Sequence, residues 1–193
     1  MNTIEIRNVL EFLRLVERLK DTLRTSRTSS GRQESVAEHT WRLCLMFSLF
    51  RNEFPEIDFD RAIRMCMVHD MGEIVGGDIP ATHQKHGDSK SYQERLDLES
   101  ILISLPDTIR AEILELWDEY EAAATSEAKL VKAFDKLETI MQHNQGMNAP
   151  DFDYEFNLTY GSKFTTGHPL LAEIREILDQ ETKRLSNAAK RLS

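Results

Sequence analysis

Cysteine, proline and glycine are all scarce in this chain, at two, five and eight in 193 residues. Cys44 and Cys66 sit inside apolar stretches with no C-x-x-C spacing. That excludes a disulfide framework and a thiolate zinc cage, and it points to a reducing compartment. Four of the prolines, Pro55, Pro80, Pro106 and Pro169, fall between stretches of helical period, and long β-rich segments are missing. The densest apolar run, residues 43–50, is far short of the ~20 residues of a membrane span. The first residues, with Glu5, Arg7 and Glu11, lack the layout of a signal peptide. A soluble, cytoplasmic protein is expected. Positive charge is also in deficit: 24 Lys and Arg against 33 Asp and Glu give a net charge of −9. This argues against broad binding of nucleic acid or an anionic membrane surface. It leaves room for a small phosphorylated ligand in one local pocket.

What is present is helical period. At roughly 100–200 residues per domain, the length fits one domain spanning 1–193. Val9, Leu13, Val16, Leu19 and Leu23 recur at three- and four-residue spacing and predict a helix over 3–23. A second helix is predicted over 35–52, and a third starts after Asp58, a good N-cap, and ends near Gly72. Others are predicted over 89–104, 107–122, 126–145 and 169–191. The fold class is therefore all-α, a single helical bundle. Between Gly72 and Asp88, Gly76, Gly77, Pro80 and Gly87 mark a loop. Residues 23–31 (LRTSRTSSG) read alone as a solvated polar linker. Residues 146–168, with Phe152, Tyr154, Phe156, Tyr160 and Phe164, are the least regular and read as a packed loop or a short lid. Leu170, Ile174, Ile177, Leu178, Leu185 and Leu192 read as a helix that covers the core, with a homodimer left open.

Three pieces carry chemistry: His39 in ESVAEHTWR, the pair His69-Asp70 in MVHDMGE, and Asp135 in VKAFDKLE. At about 100° per residue, His39 shares a face with Val36, Leu43, Met46 and Phe50. His69 shares one with Ala62, Met65 and Cys66, and Asp70 lies beside Met67 and Ile63. Asp135 borders the stripe of Val131, Phe134 and Glu138. Any one of these is more often a satisfied core residue or an ion-paired helix Asp. Together they bring two imidazoles and two carboxylates inward from three helices, and such burial demands a compensating charge. A divalent cation supplies it. The mixed N/O donor set suits Mn, Fe, Co or Zn, with Mg also open. His83 and His86 lie in a glycine-flanked loop and read as solvated. His143, near a helix end, reads as a capping or surface histidine.

The runs GRQESVAEHTWR, MVHDMGEIVGGDIP and EAKLVKAFDKLETIMQ, in that order, resemble the HD-domain metal-dependent phosphohydrolase superfamily. They are most similar to its branch of YfbR-type 5′-deoxynucleotidases and HD-domain-containing relatives. The resemblance covers about residues 10–145. It implies that His39, His69, Asp70 and Asp135 hold the metal and that Glu73 and Asp78 are the catalytic acids. Arg24, fifteen residues before His39, falls where the family binds phosphate. The stretch Asp78, Ile79, Pro80 and Ala81 would touch the nucleotide. Two positions depart from the family: Thr25 stands where the bacterial type has a Trp linked to substrate selection, and Ala81 where a hydroxyl residue is frequent. Read by residue alone, Glu73 is as readily a surface glutamate, Asp78 a turn residue or cap, and Arg24 part of a linker.

The resemblance implies a phosphomonoesterase that removes the 5′-phosphate from (deoxy)ribonucleoside monophosphates, deoxy preferred. One divalent cation and a small nucleotide are its expected partners, with no nucleic acid and no membrane. The alternatives are another HD phosphohydrolase, acting on guanosine tetraphosphate or a cyclic phosphodiester, and a non-catalytic regulator of the same fold.

Overall fold

The computed structural model describes residues 1–79 and 89–191. Helix α1 (Thr3–Val16) starts at a capping box: Asn2 accepts from the Ile4 and Glu5 amides, and Glu5 accepts from the Asn2 amide. The helix expected over 3–23 stops early. It passes through a 3₁₀ turn (Glu17–Lys20) and becomes extended. Strands β1 (Leu23–Arg27) and β2 (Gln33–Ser35) pair antiparallel, with Leu23 opposite Ser35 and Arg27 opposite Gln33. The segment that reads as a solvated linker is therefore half of a hairpin. Its anchors are distant in sequence: the Gln142 side chain donates to the Arg27 carbonyl and the Met147 amide to the Thr28 carbonyl. Local propensity carries no trace of such partners.

Ser35 ends the hairpin and caps α2 (Val36–Leu49), again in a capping box with Glu38. Helix α3 (Phe59–Val68) starts at Asp58, whose carboxylate accepts from the Arg61 amide. It ends four residues before Gly72, and a turn leads into the one-turn helix α4 (Glu73–Gly76). Gly72 packs against α5 (Ser89–Leu102); a Cβ there would lie 2.7 Å from the Glu94 carbonyl oxygen. Helices α6 (Asp107–Ala122) and α7 (Ser126–Gln145) keep the bounds that the spacing predicts. Two short turns follow in the irregular stretch, α8 (Tyr154–Asn157) and α9 (Ser162–Thr165), before α10 (Pro169–Lys190).

Helix α7 runs through the middle and packs against α2, α3, α6 and α10. Val131, Phe134, Leu137 and Ile140 are fully buried there with Leu43, Met65 and Cys66. A second apolar cluster gathers Phe12, Val36, Leu98, Leu102 and Trp117. Each such side chain contributes about 1.5–3 kcal/mol when fully buried. Helix α10 covers the core with Leu171 and Leu178, while Ile177 faces outward. Among the described residues, no helix is long and apolar enough to cross a membrane. The unusual feature of α7 is polar. Asp135, Glu138, Thr139, Gln142 and His143 form one buried stripe along it.

Candidate functional site

Three helices and a turn meet at that stripe. His39 projects from the first turn of α2, fixed by the Ser35 cap. His69 and Asp70 sit where α3 ends and turns toward α4. Asp135 comes from the middle of α7. His39 Nε2 lies 3.2 Å from Asp135 Oδ1 and 3.8 Å from Asp70 Oδ2. His69 Nε2 lies 3.0 Å from the same Asp70 oxygen. His39, His69 and Asp70 form a compact set of donors able to hold a cation.

The imidazole tautomers follow from their outer partners. His39 Nδ1 donates to Glu138 Oε2 at 2.5 Å, and His69 Nδ1 donates to the Cys66 carbonyl at 2.8 Å. Both partners only accept, so each Nδ1 carries the proton and each Nε2 presents a lone pair. Both Nε2 atoms are buried without a hydrogen-bond partner among the described residues. Asp135 Oδ2 accepts from Tyr120 at 2.7 Å and Lys136 at 2.8 Å, which leaves Oδ1 facing His39. Two bare nitrogens facing two carboxylates repel one another unless a positive charge lies between them. The residues fit a divalent cation with mixed N/O preference. With a proton in that role, burial and Arg24 oppose charging of His39, but Glu138 and Asp135 outweigh them and push its pKa up to about 9. Burial would raise Asp70 and Asp135. The histidines pull Asp70 well below the usual carboxylate range, and Lys136 with the histidines does the same to Asp135.

A second group of donors, Glu34, His39 and Glu138, is of another kind. Two arginines already meet its charge. Arg42 donates to Glu138 at 2.5 Å and lies 3.8 Å from Glu34, while Arg24 Nε lies 3.6 Å from Glu34. This set braces His39 and Arg24 from behind.

The cavity in front has a volume of about 880 Å³. Arg24, Thr25, Glu73, Asp78 and Ile79 all line it together with His69, Asp70 and Asp135. Strand β1 presents Arg24, and Thr139 accepts from its guanidinium at 3.1 Å. Burial would lower its pKa, but Glu138, Asp70 and Glu34 hold it firmly charged. Arg27, three residues on, instead closes the hairpin turn by donating to the Gly31 carbonyl at 2.7 Å. Glu73 is buried at the start of α4, and burial, Asp70 and Asp78 push its pKa up to about 10. It therefore holds a proton at neutral pH in the cation-free protein. Gly77, at φ +77, turns the chain so that Asp78 enters the cavity, where burial raises its carboxyl too. Pro80 and Ala81 lie outside the described residues, as do His83 and His86.

His143 requires a correction. It is neither a cap nor a surface residue: it is buried, lines the cavity, and bonds Asn157 through Nδ1 at 2.8 Å. Residues 146–168 fold back over α7 and cover it. Glu138, Thr139, Arg42, Glu34, Tyr120 and Lys136 also belong to this site, and the motifs alone do not single them out. The available signal is the polar series at 135, 138, 139, 142 and 143, at i, i+3, i+4, i+7 and i+8, on a helix that also carries the apolar stripe of Val131, Phe134, Leu137 and Ile140.

Residues 16–175 match the family model described as HD domain. A Bos taurus protein named 5′-deoxynucleotidase HDDC2 is 33% identical over 188 residues, covering 95% of this chain and 89% of that protein. The Schizosaccharomyces pombe 5′-deoxynucleotidase hdd1 is 37% identical over 74% of each chain. A crystal structure of a predicted metal-dependent phosphohydrolase from Magnetospirillum magnetotacticum superposes with a TM-score of 0.78 at 26% identity. That match covers 94% of this chain and 97% of the other.

Proposed function

The chain belongs to the HD-domain family, and from that membership and its buried centre we infer that it is a 5′-deoxynucleotidase. It is a phosphoric monoester hydrolase that releases phosphate from nucleoside 5′-monophosphates, with deoxyribonucleotides preferred. The observation that carries the reading is the pair of buried Nε2 atoms of His39 and His69, without a hydrogen-bond partner among the described residues and set beside Asp70 and Asp135, which line the cavity.

His39, His69, Asp70 and Asp135 would hold one divalent cation. When bound, it supplies Lewis-acid stabilisation of charge on the phosphoryl oxygens. Arg24 clamps the phosphate with its fork of donors, held in place by Thr139 and Glu34. Glu73 and Asp78 manage protons for the attacking water and the leaving 5′-oxygen. Asp78 takes the leaving-group side, because the Gly76-Gly77 link lets it reach across the ester. Thr25 and Ile79, which line the cavity, are placed to touch the nucleotide.

Phosphate release from a panel of ribo- and deoxyribonucleoside 5′-monophosphates, each with Mn²⁺, Co²⁺, Fe²⁺, Zn²⁺ and Mg²⁺, tests this. Cation-dependent release that favours the deoxy series is expected. Cation-loaded protein that releases no phosphate from any member would overturn it.

A further inference from the structure

The phosphate end accounts for only part of the cavity. At about 880 Å³, its volume is in the range of sites that enclose a whole small molecule. One wall comes from the irregular segment, where Phe152, Phe156 and Tyr160 line the cavity, each only partly buried. These are apolar faces in a space otherwise bounded largely by ionisable groups.

The wall is anchored. Arg175, buried on α10, donates to the Tyr160 and Asn157 carbonyls, each at 2.7 Å, and to Asp179. His143 ties the Asn157 side chain to α7. The Phe156 and Tyr160 rings lie 5.1 Å apart and tilted by 32°, and Phe152 meets His143 and Tyr154 edge to face. The wall is also close to the acidic centre. Lys136 Nζ lies 2.8 Å from Asp135 Oδ2 and 5.1 Å from the Tyr160 ring centre. A single lysine therefore separates the aromatic wall from a carboxylate of the proposed cation site. A sugar separates a phosphate from its base in the same way.

We propose that Phe156 and Phe152, backed by Tyr160, form a stacking platform for the nucleobase of the 5′-mononucleotide. The proposal rests on the deoxynucleotidase reading above. Every base has a π face, so such a platform accepts all of them, and the larger purines gain most contact. The anchoring by Arg175 and His143 means that little order has to be created on binding.

The test compares 2′-deoxyadenosine 5′-monophosphate with 2-deoxyribose 5-phosphate, which has the same ester and no base. In wild-type protein, kcat/KM for the nucleotide exceeds that for the sugar phosphate. In Phe156→Ala the ratio of the two falls about 5- to 140-fold, the size of one base–aromatic stack, through KM of the nucleotide. Phe156→Leu keeps apolar bulk in the wall, should the alanine variant fold poorly, and still lowers the ratio. Equal kcat/KM for the two substrates in wild-type protein overturns the platform, as does a wild-type ratio in both variants. Wild-type protein that cleaves neither substrate overturns the deoxynucleotidase reading itself, and the platform with it.

Discussion

Glu138 lies one helical turn beyond Asp135 on α7, and its carboxylate accepts a hydrogen bond from His39 Nδ1 at 2.5 Å. One helix thus carries both an acid facing the proposed cation site and the acid that orients a histidine on another helix. Arg42 holds the second Glu138 oxygen at 2.5 Å, so the carboxylate cannot swing away. Partners of this kind typically contribute 10- to 100-fold in metal affinity. Glu138→Gln is expected to bind Mn²⁺ or Co²⁺ about 10- to 100-fold more weakly, measured by calorimetric titration. An unchanged affinity would show that His39 is oriented by its packing alone.

Removing the cation should cost stability as well as activity. A ligand that binds only the folded state stabilises it by about 2.7 kcal/mol at a concentration 100 times its dissociation constant. Thermal melts of chelator-treated protein should therefore rise in Tm when the cation is restored. His39→Ala and Asp70→Asn each remove one of the proposed ligands. They are expected to lose turnover, bound metal and the Tm increment together. Wild-type metal stoichiometry and activity in both variants would rule out the assigned ligand set.

Glu73 is a separate case, because it is buried beside Asp70 yet has no place among the four proposed ligands. Glu73→Ala is expected to retain metal and to lose at least ~10²-fold in kcat, the usual scale of a general acid–base contribution. Metal analysis alongside steady-state kinetics checks this. A variant with normal kcat, or one that no longer binds metal, would contradict the role.

The parts of this molecule legible in the sequence are those with local causes. Pro106 falls at the start of α6, and the helical spacing that gives the bounds of α6 and α7 needs no distant partner. The inward faces of His39 and Asp135 follow from the same periodicity. The hairpin is different: Leu23 to Arg27 lacks a strand signature, and the hairpin backbone is held at Arg27 by Gln142, near the end of α7, and at Thr28 by Met147, just beyond it. The end of α3 was hidden as well. The chain leaves α3 at Val68, and Gly72 packs so closely on α5 that a Cβ there would lie 2.7 Å from the Glu94 carbonyl oxygen, a contact the sequence does not announce. His143 looked exposed because its cover, residues 146–168, has no regular pattern. What holds that cover is a buried arginine, Arg175, on the next helix.

The same hairpin separates two arginines that the sequence places only three residues apart. Arg24 lines the cavity, and Arg27 is used in its own turn by donating to Gly31. A charge-assisted contact to phosphate is worth roughly 1.5–3 kcal/mol, or about 10- to 150-fold in kcat/KM. Arg24→Ala is expected to lose that much on a deoxynucleotide while keeping its metal. Arg27→Ala should lose far less, because its effect on the site passes only through the hairpin turn. Measuring kcat/KM and metal content for both variants on one substrate separates the two roles. Were Arg27→Ala the crippled enzyme and Arg24→Ala near normal, the phosphate would have to lie on the other side of β1. The buried pairing of Arg24 with Glu34 and Thr139 would then be purely structural.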